Sequence, residues 1–221
     1  MLVEKDTRTS SKAFDAIHCS WYNHHATQGD DAPDDVQACF LEKEGCSRTN
    51  HAQIVPYISA ELRDHEELYQ HVIKTFKALF EWVRQELERH LPEEYEILSQ
   101  VASILPGNAC SPVEPFTSLV ININVSTRGH RDVGDREFCL VIPIGTFTGG
   151  SMVMVETGLV VDLHQGDMVV FRSCDVTHLN LHYKGQRASL VMHTDKEMQA
   201  WLKNRNGWAH NITMCSYADS T

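Results

Sequence analysis

No apolar run in this sequence approaches the roughly 20 residues that a membrane-spanning helix needs. Residues 1–14 lack the apolar core of a secretory signal, so an intracellular chain is expected. There is no Cys-x-x-Cys either. The seven cysteines (Cys19, Cys39, Cys46, Cys110, Cys139, Cys174 and Cys215) are odd in number and scattered. That excludes a zinc-ribbon or thioredoxin pattern and fits a reducing compartment. Cys139, in an apolar run, reads as a small core residue. Positive charge is short as well: 19 Lys and Arg against 30 Asp and Glu give a net charge of −11. Such a balance does not favour a nucleic-acid binder. The deficit sits mostly in the first half, where residues 1–106 carry 19 acidic against 10 basic side chains, while residues 107–200 carry 10 against 7.

What is present is a change of hydrophobic period along the chain. Residues 1–56 are polar and read as an irregular extension. They include the acidic loop Asp30-Asp31-Ala32-Pro33-Asp34-Asp35 and His24-His25, taken as exposed loop histidines. Leu68, Val72, Phe76, Leu79, Phe80, Val83 and Leu87 then recur at three- and four-residue steps, the mark of an amphipathic helix. Trp82 is expected to widen its buried stripe, Pro92 to end it, and a second helix to run over residues 93–104. From Phe116 the period becomes two. Strands are expected over 119–125, 138–144, 151–156, 159–163, 168–171, 176–183 and 188–193. Turn signals stand at Gly134-Asp135, Gly149-Gly150, Thr157-Gly158, Gln165-Gly166-Asp167 and Lys184-Gly185. A closing helix over 195–205 carries Trp201. Short strands at this spacing make a sandwich or barrel. The expectation is an α+β domain over residues 57–205: a double-stranded β-helix (jelly roll) at 115–195 packed against helices within 57–106, followed by a tail at 206–221.

Within the β-rich half lies His130-Arg131-Asp132, followed by His178 and then Arg187-Ala188-Ser189. Two imidazoles and one carboxylate, with three coordination positions left open, make the facial triad of non-haem Fe(II) oxygenases. In extended chain His130 and Asp132 share a face and Arg131 points away. Arg187 suits the far carboxylate of 2-oxoglutarate through a bidentate pair, with Ser189 adding a hydroxyl on the same face. The competing reading of Arg187 is an ordinary surface strand residue. Asn122 and Asn124 form a polar face just before the triad, serving either a bound keto acid or solvent. Arg128 is placed to reach the near carboxylate, and Asp175 to orient the His178 ring. The cofactors implied are Fe(II), 2-oxoglutarate and O2. The main competitor is a cupin-like barrel with another metal or none.

Asn122-Ile-Asn-Val-Ser-Thr-Arg-Gly-His-Arg-Asp132, Gly150-Ser-Met-Val-Met-Val-Glu, Gly166-Asp-Met-Val-Val-Phe-Arg-Ser, Thr177-His-Leu-Asn-Leu-His and Gly185-Gln-Arg-Ala-Ser-Leu together resemble the Tet/JBP family. The likeness covers roughly residues 60–200 and is strongest to the compact forms numerous in basidiomycete fungi. It implies oxidation of methyl groups on nucleobases, chiefly 5-methylcytosine in DNA, with N6-methyladenine as an alternative, and a nuclear location. His130, Asp132 and His178 match the family's iron ligands, and Arg187 and Ser189 its 2-oxoglutarate residues. Such enzymes extract the target base from the duplex. His193 and Asp195 are the candidates for contacting that base; the competing reading makes His193 a buried strand residue and Asp195 the cap of the last helix. Methylated DNA is the expected substrate, bound weakly without a recruiting partner, by a chain expected to be a monomer. A 2-oxoglutarate oxygenase acting on a protein side chain or small molecule, or a non-catalytic barrel, are the other functions left open.

Overall fold

The apolar stripe that begins at Leu68 belongs to a long helix. The structure is a computed structural model, and it describes residues 16–24, 26 and 55–207. A short helix α1 (Ala60–Asp64) is capped by Ser59, whose hydroxyl accepts from the Leu62 amide. Next comes α2 (Glu66–His90), with Glu66 and Glu67 in its first turn and Arg89 and His90 in its last, matching the helix dipole at both ends. Pro92 does not merely stop it: proline takes the first position of α3 (Pro92–Ala102), where its missing amide costs nothing. Phe80, Val83 and Leu87 are buried as the spacing requires. Trp82 is not. It is 44% exposed on the flank of the helix, so it does not widen the stripe.

The strands form an antiparallel five-stranded sheet in the order β1-β4-β10-β5-β8, comprising β1 (Ala16–Cys19), β4 (Ser118–Ile123), β5 (Cys139–Gly149), β8 (Val169–Phe171) and β10 (Tyr183–His193). A three-stranded sheet holds β6 (Met152–Met154) between β7 (Leu159–Val161) and β9 (His178–Asn180). β2 (Trp21–Tyr22) pairs with β3 (Tyr57–Ile58). With helices on one side of antiparallel sheets, the architecture is α+β. Alternation sorts the two faces of the large sheet. Leu119, Leu140, Ile142, Leu190 and Met192 pack against Phe80, Val83, Leu87 and Leu98 of the helices. On the opposite face Cys139 and Val141 meet Met152 and Met154 of the small sheet. A last helix α4 (Met198–Asn204) buries Trp201, whose indole donates to the Ile104 carbonyl.

Two expectations are corrected here. Lys184-Gly185 is no turn but part of β10, opposite Thr148 and Phe147 of β5. Gly185 has φ +113, and a Cβ there would run into the Thr146 carbonyl oxygen; Gly145, at φ +122, meets the Gln186 carbonyl in the same way. Glycine here lets two long strands approach while twisting, rather than ending them. Second, the stretch expected to be irregular supplies β1, which pairs Ala16–Cys19 with residues 119–122 of β4. Four residues with one apolar alternation are too few to stand out in the sequence. The acidic loop at 30–35, His25 and most of the tail at 206–221 lie outside the described residues.

Candidate active site

His130 and His178 are joined by the backbone before any metal is considered. Each donates its amide to the other's carbonyl, at 3.1 and 2.9 Å. Asp132 is fixed by its amide, which donates to the Ser173 carbonyl at 3.0 Å. The ring of His130 sets Nδ1 2.8 Å from the Arg128 carbonyl, and that of His178 sets Nδ1 3.1 Å from the Val176 carbonyl. A carbonyl only accepts, so each Nδ1 carries the proton and each Nε2 keeps its lone pair. Both Nε2 atoms face one carboxylate: His130 lies 3.8 Å from Asp132 Oδ1, and His178 3.4 Å from Oδ2. The ligand atoms of the three lie within 4.8 Å of one another, a group able to hold a metal ion. Phe171 presses edge-on against the His178 ring at 4.8 Å. The expected role of Asp175 is not seen. Its carboxylate takes the Arg172 guanidinium at 2.5 Å, and the Val176 carbonyl holds His178 instead.

The triad opens on a cavity of about 300 Å³, a size suited to a small ligand. Arg187 lines it and is only 4% exposed, so it is not a surface strand residue. Its guanidinium lies over the rings of Phe147 and Tyr183 at 5.3 and 5.7 Å. Asn180, with its amide oxygen turned to the guanidinium, accepts from Nη1 and Nη2. No carboxylate pairs with Arg187 among the described residues, and its Nε and the Tyr183 hydroxyl are buried without hydrogen-bond partners there. Burial therefore pushes the Arg187 pKa down, with Tyr183 opposing. A buried cation in this state is suited to receive an anion.

Ser189 and Asn122 also line the cavity and face each other across β10 and β4. Asn124 and Arg128 do not line it. Asn124, at φ 52, locks the Arg187 backbone from both sides, donating its amide to the Arg187 carbonyl and accepting the Arg187 amide on Oδ1. Arg128 is exposed and contributes its carbonyl to His130. Arg131 points away as expected, to Glu156 and Thr177. Of the two base-contact candidates only His193 lines the cavity, where Nδ1 lies 3.0 Å from Asp135 Oδ1. Burial lowers the His193 pKa, but Asp135, together with Asp132 and Asp195, outweighs it and holds the pKa above the ordinary value. Asp195 is turned away, buried, and accepts from the amides of Asn23 and Glu197.

Sequence reasoning missed Asp135, Asn180, His18 and Tyr22, all of which line the cavity. Asn180 carried a signal, being two residues from His178 on one strand and so on the same face. Asp135 was hidden in a turn signal. His18 and Tyr22 belong to a segment read as irregular.

No protein-family model matches the chain, and no curated protein matches it in sequence. Solved structures do. NgTET1 in complex with 5mC DNA superposes with a TM-score of 0.56 at 16% identity, over 86% of this chain and 64% of that one. The chain thus spans under two thirds of that protein's length. Two others overlap too little to bear on the fold: a 2OG-Fe(II) oxygenase family oxidoreductase from Burkholderia pseudomallei (TM-score 0.31, 28% identity, 35% of this chain and 43% of that one) and OsALKBH1 (0.34, 15%, 51% and 64%). The fold described above is therefore one that this chain shares with NgTET1.

Proposed function

We propose that the chain is an Fe(II)/2-oxoglutarate-dependent dioxygenase built on a double-stranded β-helix, oxidising the methyl group of a modified base in DNA, with 5-methylcytosine the first choice. The observation that carries the oxygenase reading is the pairing of a His-Asp-His group with a buried, carboxylate-free Arg187 in one cavity. The donor set, two neutral imidazoles and a carboxylate, fits Fe(II) and leaves positions open. When bound, Fe(II) with 2-oxoglutarate supplies the oxidation of an unactivated C–H bond by O2.

The chain's own residues do the rest. The Arg128 and Val176 carbonyls hold both rings with Nε2 toward Asp132. Arg187 takes the far carboxylate of 2-oxoglutarate, with Asn180 and the aromatic rings keeping its fork flat and in place. Ser189 offers its hydroxyl one register step along the same strand face. Val120, Val141 and Val191 keep water from the middle of the cavity. The choice of a DNA base is supported by the fold shared with NgTET1, solved with 5mC DNA, and by the motif resemblance.

The test is mass spectrometry of nucleosides after incubating iron-loaded protein with 2-oxoglutarate and oligonucleotides carrying 5-methylcytosine or N6-methyladenine. Hydroxymethylated or further oxidised base is the expected product. Turnover of 2-oxoglutarate with no base oxidised would favour a protein or small-molecule substrate.

A further inference from the structure

One end of the cavity is not used by metal or co-substrate. Strand β10 sets the scale: Arg187, Ser189, Val191 and His193 all line the cavity, as alternate residues of one strand face. Six residues of strand run about 20 Å, which a five-carbon diacid held at Arg187 does not fill. At the far end stand His193 with Asp135 and, from the N-terminal segment, His18 and Tyr22.

The placement of His18 follows from alternation. Its neighbours Ile17 and Cys19 enter the core beneath the helices, so His18 faces the cavity together with Ala16. It pairs with Val120, whose other partner is Val191, two residues from His193. No described residue hydrogen-bonds its ring. Burial lowers its pKa, Glu61 opposes this and the charge of His193 adds to it, so the ring is neutral near pH 7 and offers one donor and one acceptor. Its segment is tied down at three points. Ser20 exchanges hydrogen bonds with Ser59, the Trp21 amide donates to Ser118 Oγ at 3.3 Å, and the Asn23 amide to Asp195 Oδ2 at 3.2 Å. A half-buried imidazole held this firmly on the cavity wall, with no hydrogen-bond partner for its ring among the described residues, is arranged for a ligand.

We propose that His18 is a specificity-determining residue, hydrogen-bonding the polar edge of a heteroaromatic base bound at this end of the cavity, with Tyr22 and Val120 forming the wall beside it. The ligand class rests on the nucleobase reading above. A base edge carries donors and acceptors in its plane, and one nitrogen of a neutral imidazole can meet one of them, its N–H an acceptor or its bare nitrogen a donor.

The experiment compares wild type, His18→Ala and His18→Gln on oligonucleotides carrying 5-methylcytosine or N6-methyladenine. His18→Ala should raise KM for the preferred oligonucleotide about tenfold, the effect of losing one buried hydrogen bond, and change the ratio of the two activities. Gln, which keeps a donor and an acceptor, should recover part of the loss. The 2-oxoglutarate dissociation constant of each variant reports the Arg187 end and should not move. Unchanged KM and base ratio in His18→Ala would overturn the assignment while leaving the base reading intact. A wild-type protein that turns over 2-oxoglutarate but oxidises neither base would remove the base reading, and this proposal with it. Should the variants not fold, NMR on Zn(II)-loaded wild type decides: the His18 ring nitrogens shift on adding methylated oligonucleotide, or, staying fixed while the oligonucleotide binds, refute the contact.

Discussion

A guanidinium that is 4% exposed with no carboxylate beside it among the described residues is costly to keep, because desolvation is not offset by a charge of opposite sign. Arg187 stands there with aromatic rings, one amide oxygen and an unpartnered Nε. The arrangement makes sense once a dianion binds. Arg187→Ala should therefore weaken 2-oxoglutarate binding at least tenfold, on the order of 1.5–3 kcal/mol for a charge-assisted pair, measured by calorimetry on protein loaded with a redox-inert metal. Arg187→Lys should recover little, since the ammonium lacks the planar fork. Asp132 stands on different physics. Its two oxygens face both Nε2 atoms, so Asp132→Ala should lower retained iron after dialysis and abolish substrate-independent 2-oxoglutarate turnover. Undiminished metal content would refute the triad. At this scale the sequence was readable where residues repeat at the strand period: His130 with Asp132, and Arg187 with Ser189. It was not readable where a contact depends on distant elements. Asp135 meets His193, and Asp195 meets Asn23, across 58 and 172 positions.

Among the elements, the helices and most strands could be read because each buries one face, and burial imposes a period. β1 and the long arms of β5 and β10 could not, because their identity lies in pairing. β1 is four residues at a sheet edge, and the glycines that admit close approach between β5 and β10 look in sequence like turns. The segment that carries β1 along the cavity wall depends on Asp195, which is 2% exposed and accepts from the Asn23 and Glu197 amides, with His24 Nε2 at 3.1 Å. Asp195→Ala leaves buried donors unpaired, at about 1–3 kcal/mol. The expected result is a lower denaturant midpoint and faster amide exchange at Trp21–Tyr22, with 2-oxoglutarate affinity retained. A second tie binds the loop after β6 to the chain neighbours of the His130–Asp132–His178 group: Glu156 accepts from Thr177 and Arg131. The Thr177 hydrogen bond first, then Arg131, pulls the Glu156 pKa down to about 2 from 4.5. A carboxyl lowered on folding stabilises the fold above its ordinary pKa and loses that contribution as pH falls through the folded value. Between pH 4.5 and about 2, wild type should lose stability more steeply than Glu156→Gln. Parallel curves in acid denaturation would show that the tie contributes nothing.

For the molecule as a whole, the net charge of −11 sets the terms on which DNA can be held. Duplex affinity falls with salt in proportion to the phosphates contacted, with a slope of about −0.9 per contact. Arg136 before β5, Arg172 after β8 and Lys184 at the start of β10 are the cations that stand near strand ends as candidate phosphate contacts. Arg172 is already engaged, at 2.9 Å from Glu137 and 2.5 Å from Asp175, and both carboxylates must be left before it can serve a phosphate. Arg131 is likewise tied to Glu156 at 2.6 Å. Lys184, on an exposed position of β10, carries no such pair among the described residues. Binding should therefore be weak, with a log–log salt slope of about −2 to −4.5, the mark of two to five contacts. Lys184→Ala should make the slope shallower by roughly one, and Arg172→Ala should change it little. Weak phosphate contact supplies little free energy for extruding a paired base, so a methylated base in a mismatch or single strand should be oxidised faster than one in a perfect duplex. Salt titrations by fluorescence anisotropy and paired turnover assays measure both. A steep slope with undiminished duplex activity would mean a basic surface supplied from outside the described residues. If neither form of DNA binds at low salt while 2-oxoglutarate is still consumed, an acidic protein of this kind is better understood as an oxygenase for a protein side chain or small molecule.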